Sequence, residues 1–124
     1  MVMINYKNRI YGITKEIDTQ ELEMLFQKPE AWFIEVALLF GSRVTGTAHS
    51  RSDYDFALFM NQSADEGWGL KAKAYTLLSD LLGLDDCDID IVDLKMADKV
   101  ILDSIKEGFI ILKGNKDDIS RLLG

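Results

Sequence analysis

The sequence predicts a fold of the α/β or α+β class, in which a small mixed β-sheet is flanked by helices. Short runs with strand character alternate along the chain with segments whose apolar residues recur at helical spacing. Elements that alternate in this way favour a sheet covered by helices over a helical bundle or an all-β sandwich. The chain has 124 residues, the length of one ordinary domain, so we expect a single domain over residues 1–124.

The first predicted helix begins after Asp18 and ends before Pro29. Asp18 can cap this helix, and Glu21 stands three residues later, at the spacing of a capping box. The helix has one apolar stripe, formed by Leu22, Leu25 and Phe26. The next segment, Ile34–Phe40, is an apolar run interrupted only by Glu35, and it is short for a helix. It therefore predicts a buried strand.

Residues Tyr54–Met60 predict a second strand with two distinct faces. Its first face is formed by Tyr54, Phe56, Leu58 and Met60, and its second by Asp53, Asp55, Ala57 and Phe59. Helices and strands continue to alternate downstream. We expect a helix at Leu70–Leu82, with Ala74, Leu77, Leu78, Leu81 and Leu82 inward, and a strand at Cys87–Leu94. There follow a helix at Met96–Lys106 with Val100, Ile101 and Ile105 inward, a strand at Phe109–Leu112, and one or two helical turns over 117–123.

Composition and charge exclude several classes of protein. Apolar residues make up 48% of the chain and charged residues 28%, as in globular rather than disordered proteins. The 21 acidic residues outnumber the 14 basic ones, and the net charge of −7 argues against general binding to nucleic acid or to an anionic membrane. Cys87 is the only cysteine, and no apolar run suits a membrane span or a signal sequence. We therefore expect a cytoplasmic protein.

Three features of the sequence indicate a site for phosphate and metal. Gly41-Ser42 directly follows the predicted buried strand, where glycine allows a ligand to approach the backbone and the serine hydroxyl can hold phosphate oxygens. Asp53 and Asp55 are separated by one residue, so their carboxylates share a strand face, about 7 Å apart at Cα. Asp90 lies on a further strand, on the face that it shares with Asp88.

Carboxylates on neighbouring strands repel one another unless a cation lies between them. Mg²⁺ or Mn²⁺ suits such oxygen ligands and keeps coordination positions open for phosphate. A pair of these ions can activate an attacking oxygen and clamp a triphosphate. The pattern therefore predicts nucleotidyl transfer, with Asp53, Asp55 and Asp90 as the catalytic and metal-binding residues.

The sequence resembles the nucleotidyltransferase superfamily of the DNA polymerase β type. Gly41-Ser42, ten intervening residues and Asp53-Tyr54-Asp55 match its G-S-x10-D-x-D signature. The stretch GSRVTGTAHSRSDYDFALF (41–59) is similar in particular to the minimal nucleotidyltransferase (MNT) proteins. The segment DIDIVDL (88–94) is similar to the strand that carries the family's third carboxylate, which falls on Asp90. The resemblance covers about residues 18–113.

The resemblance implies a polymerase β-like nucleotidyltransferase fold and the function of an antitoxin. Many MNT proteins pair with a helical HEPN-domain toxin, and some transfer AMP from ATP to a tyrosine of that toxin, which silences it. Carried over, Gly41 and Ser42 bind the triphosphate, and Asp53 and Asp55 hold both metal ions. Asp90 holds the ion that activates the acceptor hydroxyl and can also act as its base. The expected cofactor is Mg²⁺ or Mn²⁺, the substrate ATP, and the partner a HEPN-domain toxin, in a homo- or hetero-oligomer that the sequence leaves open.

One residue departs from the family pattern. Many relatives have an arginine before the second glycine of the motif, where this chain has Thr45. Arg43 is the candidate for a phosphate contact in its place. Ser52 is a further candidate for the nucleotide site, and an equally good one for a turn that orients Asp53. Asp88 is the alternative to Asp90 as third carboxylate.

Two other functions stay open at the level of sequence. The same fold can neutralise a toxin by binding alone, without turnover, although three adjacent carboxylates favour an enzyme. A small-molecule transferase would bind its acceptor with a further domain or a second subunit, and the short C-terminal region provides no such domain.

Overall fold

A mixed four-stranded sheet lies at the centre of the computed structural model, which describes residues 16–46, 53–84 and 88–124. Within those residues the strands are β1 (Ile34–Phe40), β2 (Tyr54–Met60), β3 (Ile89–Asp93) and β4 (Phe109–Lys113). Their order is β3-β2-β1-β4; β1 is antiparallel to both β2 and β4, whereas β3 runs parallel to β2. The predicted mixed sheet is confirmed. The predictions for Ser52 and Cys87 lie outside the described residues.

The same residues contain five α-helices: α1 (Thr19–Phe26), α2 (Ser42–Thr45), α3 (Leu70–Leu82), α4 (Lys99–Lys106) and α5 (Lys116–Leu123). Single 3-10 turns lie at Pro29–Ala31 and Gln62–Ala64. The predicted cap of α1 is confirmed, since Asp18 accepts a hydrogen bond from the N–H of Glu21 at 2.8 Å. None of the helices in the described part of the chain combines the length and the hydropathy that spanning a bilayer requires.

The sheet has an apolar core on each face. α1 and α3 cover one face, where Phe26 packs edge-on against Phe56 with ring centroids 5.9 Å apart. α4 and α5 cover the other face, whose core includes Leu38 and Ile105. The alternation predicted for β2 is confirmed, because its even-numbered residues lie in the first core and Ala57 lies in the second.

The prediction that Val100 points inward is wrong. α4 begins only at Lys99, because the Asp98 side chain accepts a hydrogen bond from the N–H of Ile101 and caps the helix there. Val100 therefore falls on the outer side of the helix and is exposed. Met96, predicted as the first helical residue, lies instead in the turn after β3. The residues of α4 that pack on the sheet are Ile101, Leu102 and Ile105.

The prediction that Leu81 points inward is also wrong, since this side chain is partly exposed on α3. Leu77 packs at the edge of the core as predicted. The buried stripe of α3 includes Leu70, Ala74, Leu78 and Leu82. These residues recur at intervals of four, and Leu81 lies beside the stripe rather than within it.

Candidate active site

Asp55 and Asp90 lie side by side on adjacent strands. β2 and β3 are parallel, with α3 as the crossover, and their register pairs Asp55 with Asp90. On its other side, β2 pairs Asp55 with Phe40, the last residue of β1. Paired residues share a face of the sheet, and Phe40 belongs to the core under α4 and α5. Both carboxylates therefore lie on that face, at the end of the sheet where β1 ends and β2 and β3 begin.

Gly41 brings the backbone of the predicted phosphate turn against Asp55. Its φ of 82° lies in the left-handed region that side chains disfavour. A Cβ at this position would collide with Oδ2 of Asp55 and would lie 3.0 Å from its Cγ. Only glycine therefore allows the end of β1 and this carboxylate to pack together. The two motifs that the sequence separates are in direct contact in the fold.

The carboxyl group of Asp55 shares its surroundings with two further acids. Burial raises its pKa most, and the charges of Asp90 and Asp53 raise it further, to about 6, while Arg43 opposes the rise. Asp53 and Asp90 are both exposed. The charges of Asp53 and Asp90 thus both act on the carboxyl group of Asp55. A cation bound among the three would favour the ionised form of Asp55.

The carboxylates of Asp53, Asp55 and Asp90 suit a metal ion that is bound together with a nucleotide. Among residues 16–46, 53–84 and 88–124, no three His, Cys, Asp or Glu side chains are grouped closely enough to enclose a metal ion. Mg²⁺ in proteins often uses only one or two carboxylates and completes its octahedral shell with water and phosphate oxygens. Exposed carboxylates around the partly buried Asp55 are consistent with such a shell.

α2 is a single turn that is tied back to Gly41. The N–H groups of Val44 and Thr45 donate to the carbonyl oxygen of Gly41 at 3.0 and 3.1 Å, and the hydroxyl of Thr45 donates to the same oxygen at 3.3 Å. Gly46, with a φ of 86°, ends the turn. Ser42 is its first residue and is half-buried. Thr45 therefore helps to close this turn, at the position where many relatives carry arginine.

Arg43 lies behind the site. Its guanidinium stacks on the ring of Tyr54, 4.1 Å from the centroid, and its Nη1 is 3.0 Å from Oε1 of Glu16. The Arg43 side chain is only 8% exposed. Tyr54 is buried on the face opposite the carboxylates, and its hydroxyl accepts the N–H of Ile17 at 2.8 Å. The turn after β1 and the start of β2 are thereby held together from behind.

The predicted contact of Arg43 with phosphate stays a prediction, and it would require this side chain to leave Tyr54 and Glu16. Sequence reasoning placed Tyr54 in the core but did not connect it with Arg43. The available signal was an arginine directly after the Gly-Ser turn and a tyrosine between two aspartates. Strand alternation predicts the direction of the Tyr54 side chain, but nothing in the sequence gives the direction of Arg43.

The two candidates for the third carboxylate differ in exposure. Asp88 is 1% exposed, whereas Asp90 is exposed and lies in register with Asp55. A carboxylate that is covered by protein is poorly placed to receive a metal–nucleotide complex. The geometry therefore favours Asp90 over Asp88.

Comparison with known proteins identifies the family of this chain. The chain belongs to the polymerase beta nucleotidyltransferase family, whose pattern it matches over residues 20–117. The matched range contains the Gly-Ser turn and all three predicted carboxylates. Among curated proteins, none is significantly similar to this chain in sequence.

Solved structures confirm the fold and support the resemblance to MNT antitoxins. A chain in the crystal structure of a toxin–antitoxin with AMP-PNP has 27% sequence identity to this chain. The two superpose with a TM-score of 0.60, over 86% of this chain and 82% of that one. A chain in the crystal structure of a mutant of the toxin–antitoxin MntA-HpeT also has 27% sequence identity to this chain. Its TM-score is 0.58, over 87% of this chain and 81% of that one. A tri-AMPylated Shewanella oneidensis HEPN toxin in complex with MNT antitoxin shares the fold at 24% identity, with a TM-score of 0.55 over 86% and 81%.

Proposed function

We propose that this protein is a Mg²⁺-dependent nucleotidyltransferase that transfers AMP from ATP to a hydroxyl group of a partner HEPN-type toxin, and that this transfer makes it an antitoxin. Membership of the nucleotidyltransferase family supports the reaction type. The similar toxin–antitoxin that was crystallised with AMP-PNP supports a nucleotide substrate and a toxin as the partner. A tyrosine is the acceptor that the resemblance to MNT proteins suggests.

In this proposal each part of the site has its own role. Gly41 and Ser42 hold the triphosphate, because the backbone of Gly41 lies against Asp55 and Ser42 follows it as the first residue of α2. Asp53 and Asp55 hold the metal ions, and Asp90 serves the acceptor side. Bound Mg²⁺ supplies positive charge that neutralises the phosphates and the developing oxyanion. The predicted contact of Ser52 with the nucleotide remains part of the proposal.

The transfer step exchanges one phosphorus–oxygen bond for another. The acceptor hydroxyl oxygen attacks the α-phosphorus of ATP, and the bond from this phosphorus to the bridging α–β oxygen breaks. Diphosphate leaves in line, and AMP stays on the acceptor oxygen. The proton of the hydroxyl passes to the carboxylate of Asp90, which is exposed and can receive it.

The observation that carries the proposal is the register of Asp55 with Asp90 beside Gly41. Acids that raise the pKa of their neighbour destabilise a metal-free fold, and a protein that only binds its partner gains nothing from them. An enzyme that binds Mg²⁺–ATP uses all of them. The binding-only antitoxin is therefore the weaker alternative, and one experiment separates the two.

That experiment co-expresses the HEPN-type toxin of the host with the wild-type protein or with an Asp53→Asn/Asp55→Asn double variant. We expect growth to be rescued only by the wild type, while both forms still co-purify with the toxin. A matched Glu23→Gln/Asp117→Asn variant removes two exposed charges from α1 and α5 and should rescue like the wild type. Full rescue by the Asp53→Asn/Asp55→Asn variant would overturn the enzymatic proposal in favour of binding alone.

A further inference from the structure

We propose that the groove that leads from Asp90 along the outer edge of β3 is the docking surface for the acceptor polypeptide, and that it fits a segment in which basic side chains flank an apolar one. This inference rests on the proposed function and adds the chemistry of the acceptor. The groove has a volume of about 490 Å³. Its lining includes Lys71, Asp90, Asp93, Met96 and Ile101.

The position of the groove connects it to the candidate active site. Among the strands of the described residues, β3 is an edge strand, with β2 on one side only. Asp90 stands near the start of β3, Asp93 at its end, and Met96 in the turn that follows. The strand from Asp90 to Asp93 spans about 10 Å, the length of three extended residues. A short extended segment in the groove therefore presents one of its residues to Asp90.

Two backbone groups at the edge of β3 are engaged within the chain. The N–H of Ile91 donates to the hydroxyl of Tyr75 at 3.2 Å, and the carbonyl of Asp93 accepts the N–H of Met96 at 3.0 Å. Both groups are therefore unavailable to an incoming strand. We assign recognition in this groove to its side chains.

The side chains of the groove indicate an occupant that is both apolar and basic. Met96 is 77% exposed, and Ile101 is partly exposed on α4 beside it. A flexible methionine on an open surface is typical of sites that accept an apolar side chain. Asp90 and Asp93 outnumber Lys71 in the lining, and the whole chain is acidic, with a net charge of −7. A basic segment complements this charge and associates faster at low salt.

Fluorescent peptides test the proposal directly. The first peptide has a central tyrosine flanked by leucine and lysines, the second has glutamate in place of the lysines, and the third has serine in place of the leucine. We expect the first to bind the wild type about tenfold more tightly than either of the others, and more weakly as salt rises. Equal binding of the three peptides would overturn the proposal.

A charged substitution in the groove provides a second test of the proposal. Met96→Lys should weaken binding of the first peptide about tenfold, because it adds a positive charge that repels the peptide's lysines and removes the apolar contact. The matched control is Met24→Lys on α1, which is 63% exposed outside the groove and should change binding by less than about twofold. Equal effects of the two variants would place the peptide elsewhere and overturn the proposal.

Binding of a fluorescent ATP analogue with Mg²⁺ separates failure of this inference from failure of the proposed function. Peptide binding is measured without nucleotide, so it tests the groove independently of catalysis. If Met96→Lys binds the analogue like the wild type and loses the peptide, the groove is the acceptor surface. If the wild type binds the analogue and shows no preference among the peptides, the inference fails while the proposed function stands.

Discussion

Gly41 and the carboxylate of Asp55 occupy adjoining space that leaves no room for a Cβ between them. The contact joins the end of β1 to the start of β2, and through the strand register to Asp90. The Gly-Ser turn and the Asp-Tyr-Asp motif, which are ten residues apart in the sequence, are thus brought together by one close packing contact. The first prediction follows from that contact.

Gly41→Ala should abolish nucleotidyl transfer and lower the free energy of unfolding by about 3 kcal/mol, because it adds both backbone strain and a collision with Asp55. Gly46→Ala is the matched control, since its φ of 86° is similar but no non-adjacent atom of the residues that the structure describes lies within 4 Å of the added Cβ. It should cost only about 1 kcal/mol, from strain alone. Urea denaturation measures both variants, and equal losses would show that the collision has no effect.

The metal-free protein should lose stability as pH rises from about 4 to 6. Because the fold raises the pKa of Asp55 from 3.8 to about 6, the folded state keeps a proton that the unfolded state releases in this interval. Asp55→Asn removes this loss, so with EDTA it should be more stable than the wild type by about 1–2 kcal/mol at pH 8, after allowance for solvent screening. Near pH 4 the difference should vanish.

Mg²⁺ provides the control for that titration. Above pH 6 the ion should stabilise the wild type more than Asp55→Asn, because the variant lacks one of the ionised carboxylates that attract it. Urea unfolding at pH 4 and pH 8, with and without Mg²⁺, measures all four combinations. A difference between the two proteins that does not change with pH would contradict the assigned origin of the raised pKa.

The two neighbouring acids of the third strand should respond differently to neutralisation. Asp90→Asn is expected to lower the rate of transfer by about 100-fold or more with unchanged thermal stability, because an exposed general base is lost. Asp88→Asn should instead lower the melting temperature, because Asp88 is buried and an amide offers different hydrogen-bonding groups there. Transfer rates and melting curves of both variants check this assignment, and the reverse pattern would make Asp88 the functional carboxylate.

Arg43 should stabilise the fold through its stacking on Tyr54. A double-mutant cycle with Arg43→Met and Tyr54→Leu should give a coupling energy of about 1 kcal/mol in unfolding, from the stacked guanidinium and ring. Arg43→Met alone should destabilise the protein, and its KM for ATP tests the predicted phosphate contact, whose loss would raise the KM. A coupling energy near zero would contradict the stabilising role of the stacking.

Much of the local structure follows from the sequence because local patterns determine it. Both ends of β1 and β2 are predicted correctly, since apolar alternation and the following Gly-Ser and Asn-containing turns are local signals. The start of α4 was misplaced because Met96 and Val100 continue an apolar pattern that the Asp98 cap interrupts. Capping by one side chain outweighs such a pattern at a helix end.

The assembly of the site depends on contacts that the sequence does not encode locally. The register that places Asp90 beside Asp55 joins strands separated by the whole of α3. The family resemblance pointed to Asp90, but the burial of Asp88 became visible only in the fold. The stacking of Arg43 on Tyr54 likewise depends on the tertiary path of the turn.

The most direct test of the account incubates the purified protein and its HEPN-type partner with Mg²⁺ and ATP that is radiolabelled at either the α- or the γ-phosphorus. Transfer of AMP predicts label on the partner from the α position and none from the γ position, because the γ-phosphate leaves within diphosphate. The label should disappear in the Asp53→Asn/Asp55→Asn variant. Label from the γ position, or equal labelling by that variant, would contradict nucleotidyl transfer by these carboxylates.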